Sequence, residues 1–247
     1  MSDQPPRRVC LLTGAGGVLG QDFCRRWRHD YAIVAVYRRR PPRAPSQAAG
    51  LVDPLAPGAA LPDNRSPVFA VQSDLDADAE VERVVELALA RFGQVDLLVN
   101  AAVHVRHDRL TSLAGSADFL DTTFSVNVTL PARLAAVLAR EHWLHRRAEN
   151  EAWGRNVVNL SSMAAFGLVP GAGLSAYSAS KAALNLLTAH LAYEFGGFGV
   201  RVNALAPTSF PRLIPTSAVS DAIVDLDRSD LTGTLVQLDE HGTRELH

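Results

Sequence analysis

Tyr177 stands four residues before Lys181 in Ala176-Tyr177-Ser178-Ala179-Ser180-Lys181. On a helix those two positions share one face, a turn apart. A phenol has a reference pKa near 10, too high for ready proton exchange in both directions at neutral pH. A nearby cation favours the phenolate and lowers that value. The pair therefore suits proton transfer to and from an oxygen, as carbonyl reduction requires. Lys181 is also the only lysine; every other member of the 24 Lys and Arg residues is arginine. An ammonium is compact and enters a narrow site that a planar guanidinium does not fit. Chance is the plain alternative, and an isolated Tyr-x-x-x-Lys is more often a buried tyrosine near an unrelated lysine.

The start of the chain carries a second site. Val9 to Thr13 is a short apolar run, followed by Gly14-Ala15-Gly16-Gly17-Val18-Leu19-Gly20 and a helical stretch from about Gln21. Strand, glycine turn and helix together suit a pyrophosphate, because the backbone can approach it and the helix N-terminus offers free N–H groups. A P-loop is excluded, since that motif needs a lysine directly after its glycines.

The elements that must position these residues follow from periodicity. Strands are predicted at Val9–Thr13, Ala32–Tyr37, Val68–Gln72, Val95–Asn100, Asn156–Leu160, Val200–Ala206 and Thr234–Leu238. Helices are predicted at Asp76–Phe92, Asp118–Trp143, Ser175–Phe195 and Ser217–Leu226, with a charged connection through Glu149 and Glu151. Residues 41–67 hold seven prolines and read as a long surface loop with at most a fragment of helix. Apolar strands alternating with helices predict a parallel sheet covered on both faces. The expected architecture is one α/β domain over residues 9–247, a Rossmann-type doubly wound sheet of about seven strands, after a flexible N-terminus at 1–8.

Bulk properties narrow the function. With 47% hydrophobic and 20% charged residues and a net charge of −2, the chain reads as a globular protein with no basic field for nucleic acid. No apolar run reaches the roughly 18 residues of a membrane helix, and the N-terminus lacks a signal-peptide pattern. Cys10 and Cys24 read as small buried residues, which points to a reduced, cytoplasmic protein. Among the eight histidines, the pairs His104/His107 and His142/His145 lack a third ligand at motif spacing, so no metal is expected.

In this order the motifs resemble those of the classical short-chain dehydrogenase/reductase family. Thr13–Gly20 is similar to its Thr-Gly-x-x-x-Gly-x-Gly turn, and Asp96–Ala102 to its fourth-strand motif. Asn127 in Ser125-Val126-Asn127-Val128 resembles its helix asparagine. Val157–Ser162 resembles the strand carrying its serine, Tyr177-x-x-x-Lys181 its signature pair, and Arg201–Pro207 the segment after the active-site helix. Each motif alone is weak; the ordered set, over about residues 9–239, is specific.

The resemblance implies catalytic roles for Asn127, Ser162, Tyr177 and Lys181. Lys181 would also hold the nicotinamide ribose, Ser162 would orient the carbonyl, and Asn127 would support a proton relay to Lys181. Ser161 competes with Ser162; the second of such a pair usually fills the role. Cofactor contacts are implied at Gly14, Gly16, Gly17, Val18, Leu19 and Gly20, then at Arg38, Arg39, Asp74 and Leu75. They continue at Asn100, Ala101 and Ala102, at Tyr177 and Lys181, and at Pro207, Thr208 and Ser209. Helix capping is the alternative for Asp74, and Asp96 reads as structural support. Neither Asp nor Glu occurs from Tyr31 to Gly50. Arg38 and Arg39 therefore suit the 2′-phosphate of NADP(H), unless they are only a solvated loop.

Three positions depart from the pattern. Val18 replaces the middle glycine, Asn100-Ala101-Ala102-Val103 relaxes Asn-Asn-Ala-Gly, and Thr208 follows Pro207 in place of glycine. The segment from Pro207 to Gly233 is short for a substrate lid, and Pro207, Pro211 and Pro215 stiffen it. A partly open cleft follows, with Thr208 or Ser209 positioned for the nicotinamide carboxamide. Met163, Phe166, Leu168 and Val169 read either as an apolar wall or as ordinary loop packing, and His104, Arg106 and His107 as candidates for shaping specificity. The expected activity is an NADP(H)-dependent ketoreductase acting on a small-molecule or carrier-bound carbonyl. An NAD(H)-linked polyol or sugar dehydrogenase and a non-catalytic dinucleotide sensor are the alternatives. The resemblance further implies a homodimer or homotetramer.

Overall fold

The computed structural model describes residues 7–48, 66–108 and 118–246. Among these, nine strands form one sheet in the order β3-β4-β2-β1-β5-β6-β7-β8-β9. They are β1 (Arg8–Thr13), β2 (Tyr31–Tyr37), β3 (Gln47–Ala48), β4 (Val68–Gln72) and β5 (Leu97–Asn100). β6 (Asn156–Leu160), β7 (Arg201–Pro207), β8 (Leu235–Asp239) and β9 (Gly242–Leu246) complete it. All pairs are parallel except β8 with β9. The order reverses at β1, between β2 and β5. That is the switch point where doubly wound folds open a crevice beyond the carboxyl ends of their strands.

Strand residues alternate between two cores. Val9 and Leu11 join one with Val84, Leu134, Trp143 and Leu191. Cys10 and Leu12 join the other with Phe23, Val219 and Ile223. The first core is covered by α2 (Asp78–Phe92), α4 (Leu130–Leu138) and α6 (Ser175–Gly196), the second by α1 (Val18–Trp27) and α7 (Thr216–Arg228). Gly93 ends α2 in the left-handed conformation (φ 76°), its N–H returning to the Leu89 carbonyl, a typical glycine stop.

All seven predicted strands are present, and two were not predicted. β3 is two residues long beside β4, too short to show a period, and it lies in the stretch 41–67 that reads as a surface loop. Residues 49–65 of that stretch lie outside the described residues. β9 returns along β8 through Glu240 and His241, where the His241 N–H donates to Asp239 Oδ1 at 2.8 Å. Its charged, exposed sequence hides it from a hydrophobicity reading. Arg8, assigned to the flexible N-terminus, instead belongs to β1 and pairs with the buried Asp227 at 2.7 Å. Residues 1–6 of that terminus lie outside the described residues.

The helix predicted over 118–143 is interrupted. α3 (Asp118–Phe124) runs into a π turn at Ser125–Thr129, then α4, then a second π turn at Ala139–Trp143. Pro131 explains the first: it has no N–H to give the Asn127 carbonyl four residues back, so regular α-helix cannot continue there. The charged connection after it is a short helix, α5 (Arg147–Trp153). The fully buried Arg155 beyond it bonds Glu149, Asn150 and Asp96. Asp96 also accepts the Val9 N–H at 2.8 Å, so its role is structural support. No helix among the described residues is long and apolar enough to cross a membrane.

Candidate active site

β1, β5, β6 and β7 end side by side, and the loops beyond them carry the predicted site residues. Thr13 closes β1. Its hydroxyl accepts the N–H groups of Ala101 (3.1 Å) and Ala102 (3.0 Å), tying the glycine turn to the turn after β5. Gly14 has φ 71°, and a Cβ there would come within 2.7 Å of the Ala101 carbonyl. Gly16 packs against the Arg40 carbonyl, closer than any side chain could allow. Gly17 caps α1, and Gly20 lies under Gly14. Val18, the substituted glycine position, is 60% exposed, so it obstructs nothing inside the turn, while Leu19 is buried.

β6 delivers two serines that face different ways. Ser161 is buried and bonds Asn185 Oδ1 on α6 at 2.5 Å. Ser162 accepts the Ala164 N–H at 3.2 Å, and its side chain lies near enough to the Tyr177 phenol to favour the phenolate. Of the two candidates, only Ser162 meets Tyr177. Lys181 is buried one turn along α6 with Nζ 5.8 Å from the Tyr177 ring centroid. Its ammonium donates to the Leu160 carbonyl at 2.6 Å.

The electrostatics differ from the sequence expectation. Burial raises the Tyr177 pKa, outweighing the opposite effect of the Ser162 hydrogen bond. Burial also lowers that of Lys181 from 10.5 to about 7. Each charged form loses hydration, and the lysine points at a carbonyl rather than at the phenol. The predicted depression of Tyr177 by Lys181 is therefore not present: the net shift is upward.

Asn127, in the first π turn, clamps the loop after β5. Its Oδ1 accepts the His104 N–H at 2.8 Å, and its amide donates to the His104 carbonyl (2.9 Å) and to Ser180 Oγ (3.0 Å). Among the described hydrogen bonds none joins Asn127 to Lys181, so the expected relay has no direct link here. Asn100 donates to Asn159 at 2.8 Å, leaving its own Oδ1 buried without a partner.

The remaining predicted positions line the same edge. Arg38 and Arg39 are exposed, and Arg38 lies 4.0 Å from Asp74. Asp74 does not cap α2, whose N-cap is Ala77; Leu75 is buried in the first core. Pro207 ends β7, the Thr208 N–H pairs with the Leu238 carbonyl at 2.8 Å, and the Ser209 carbonyl accepts from Leu213. One helix, α7 (Thr216–Arg228), lies between there and Gly233. The π turn at Asn127 went unforeseen, although Pro131 carried the signal.

Histidine pairing leads elsewhere. His142 is buried with Nε2 unpartnered, and burial, then the charges of Arg155 and Arg146, lower its pKa to about 4. Among the described residues no group of three or more His, Cys, Asp or Glu side chains could hold a metal. A cleft of about 650 Å³ opens at the opposite end of the strands, lined by Arg8, Arg201 and Asp227 among others. Its polar groups largely satisfy one another: Arg8 pairs with Asp227, and Arg201 donates to four backbone carbonyls.

This arrangement fits a dinucleotide. The glycine turn permits close backbone approach, the α1 N-terminus is open beside the exposed Val18, and Asn100 Oδ1 and the Lys181 ammonium retain hydrogen-bonding capacity. The family model for short chain dehydrogenases matches residues 8–212. The chain belongs to the short-chain dehydrogenase family. An uncharacterized oxidoreductase of Mycobacterium tuberculosis is 36% identical over 207 residues, 81% of this chain and 66% of that protein. The chain thus spans a little under two thirds of that relative's length. Dehydrogenase/reductase SDR family member 4 of Homo sapiens is 31% identical, covering 86% of this chain and 70% of its own. A Brucella ovis short-chain oxidoreductase, solved with a partially ordered NAD, superposes with a TM-score of 0.68 at 26% identity, covering 94% and 99% of the two chains. A Mycobacterium avium short chain dehydrogenase shares the fold, with a TM-score of 0.77 at 24% identity over 98% of this chain and 85% of its own.

Proposed function

We propose that this short-chain dehydrogenase is an NADP(H)-dependent carbonyl reductase, running as an alcohol dehydrogenase in reverse. The observation that carries the reading is Ser162 beside the Tyr177 phenol, one helical turn from a buried lysine whose ammonium lies 5.8 Å from the phenol ring. When bound, the nicotinamide supplies or accepts the hydride. Ser162 donates to the substrate carbonyl oxygen and orients it. As the carbonyl carbon gains hydride, the oxygen takes the Tyr177 proton and a secondary alcohol results. Lys181 would hold the nicotinamide ribose beside the phenol, and its charged form, turned from the Leu160 carbonyl, would favour the phenolate left behind. Its depressed pKa lets it gain or lose a proton near neutrality. Asn127 keeps the loop after β5 against α6. A sensor would need no acid, so Tyr177, Ser162 and Lys181 together favour an enzyme. Consumption of NADPH with a panel of ketones is the test; tight dinucleotide binding without turnover of any ketone or alcohol would favour the sensor.

Preference for NADP(H) rests on Arg38 and Arg39. Arg38 and Asp74 form only a long, half-exposed pair, of the kind that contributes little, so a 2′-phosphate can compete for the guanidinium. Charge-assisted contacts contribute about 1.5–3 kcal/mol each. The R38A/R39A variant is expected to raise the KM for NADPH at least tenfold and leave that for NADH nearly unchanged. Equal or better use of NADH by the native protein would make these arginines a solvated loop.

The protein is also proposed to be a cytoplasmic homo-oligomer, with Cys10 and Cys24 both free and buried. Ala179, Ala182, Leu186, Ala189 and Tyr193 form an exposed stripe on α6 at spacings of three and four, with Leu186 64% and Tyr193 88% exposed. A second copy would cover that stripe. Light scattering after size exclusion should give a dimer or tetramer for the native chain and a smaller species for L186E/Y193E. A monomeric native protein would remove the proposal.

A further inference from the structure

The rim of the candidate site is apolar where it meets solvent. Val103 and Val105 after β5, Phe166, Leu168 and Val169 after β6, and Leu213 after β7 are all exposed, Leu168 at 89%. These strands are adjacent and parallel, so their loops leave the edge that carries Ser162 and Tyr177. Ordinary loop packing would have buried Phe166 to Val169; they are turned outward instead. Polar groups on the same loops are largely engaged within the protein. Arg106 pairs with Asp108 at 2.5 Å and lies over the Phe119 ring, and His107 Nδ1 bonds the Ala172 carbonyl. Arg212, exposed beside Leu213, is the exception. Exposed apolar side chains on three adjacent loops at one edge of the sheet mark a binding surface, because burying them is favourable in proportion to area.

We infer that the substrate is a carbonyl compound with an extended apolar portion, an alkyl or aryl chain that lies across this rim while its carbonyl reaches Ser162 and Tyr177. The inference rests on the reductase reading above. A ketose would instead set its hydroxyls against valine, leucine and phenylalanine, which offer no hydrogen-bond partners.

Methyl ketones from 2-butanone to 2-nonanone, with D-fructose as the polar probe, test this with NADPH and with NADH in parallel. The value of kcat/KM should rise about fourfold for each added methylene over part of the series. In F166S/L168S, the ratio of kcat/KM for 2-nonanone to that for 2-butanone should fall at least about tenfold. A flat series, an unaltered ratio in the variant, or better turnover of fructose than of 2-nonanone would overturn the apolar assignment and leave hydride transfer standing. No turnover of any ketone with either cofactor would defeat the reductase reading instead. The rim is then decided by equilibrium binding of 2-nonanone. Binding by the native protein that the double variant loses supports the inference, and no binding, or equal binding by both, overturns it.

Discussion

Tyr177→Phe should abolish turnover while the dinucleotide still binds. The phenyl ring keeps the packing on α6 and removes the hydroxyl beside Ser162. A positioned general acid typically contributes 10²–10⁴-fold, so kcat is expected to fall by about that factor. Nucleotide affinity should move little, because the glycine turn and Lys181 remain. Steady-state kinetics beside a fluorescence titration with NADPH separates the two effects. A kcat near that of the native protein would move the acid to another residue.

Lys181→Arg should fail almost as completely, for a different reason. The lysine is 2% exposed and its ammonium meets the Leu160 carbonyl. A guanidinium retains the charge but is a broad plane in a slot shaped for a compact group. Overpacking of this kind costs about 1–3 kcal/mol, besides the lost geometry at the ribose. Activity close to that of the native protein in the arginine variant would undo the argument from the lone lysine.

Stability should carry the signature of the same residue. Its folded pKa, about 7, lies below the ordinary 10.5. Between those values the unfolded chain holds a proton that the folded protein lacks, so this contribution to stability rises with pH. Below pH 7 both states are protonated, and the contribution is constant at its least favourable value. Urea unfolding of the ligand-free native protein and of K181M should diverge, the native protein gaining about 2 kcal/mol on the variant from pH 7 to pH 9. A constant difference would mean that the folded lysine stays protonated throughout.

Much of this molecule was legible in its residues, and the reasons are local. Seven strands appear where apolar runs placed them, because burial on both faces leaves a continuous hydrophobic signature. The glycine turn was readable because φ 71° at Gly14 and its approach to Ala101 exclude a side chain. Tyr177 and Lys181 share a face by helical arithmetic alone, and the family follows from the order of short motifs. The resemblance placed Ser162, Tyr177 and the turn after β5 in one site, and parallel strands with crossover helices bring their carboxyl ends to one edge.

The rest depended on what came to lie beside each group. β9 is a strand because β8 offers it an edge, not because Gly-Thr-Arg-Glu-Leu has a strand pattern. Asn127 sits in a π turn and holds His104 and Ser180, partners 23 and 53 residues away. Ser161 and Ser162 are indistinguishable as letters; the pleat of β6 and the loop after it turn one toward Asn185 and the other toward Tyr177. Proximity in sequence predicted that Lys181 would lower the Tyr177 pKa. Burial reversed that, because desolvation depends on the whole surrounding shell and not on a neighbour four residues away. The sequence by itself determined the family, the sheet and the reactive groups. Only the tertiary structure decided which serine faces the phenol, which charges are suppressed, and that the rim of the site presents apolar side chains to solvent. Those properties belong to neighbours brought together from distant parts of the chain.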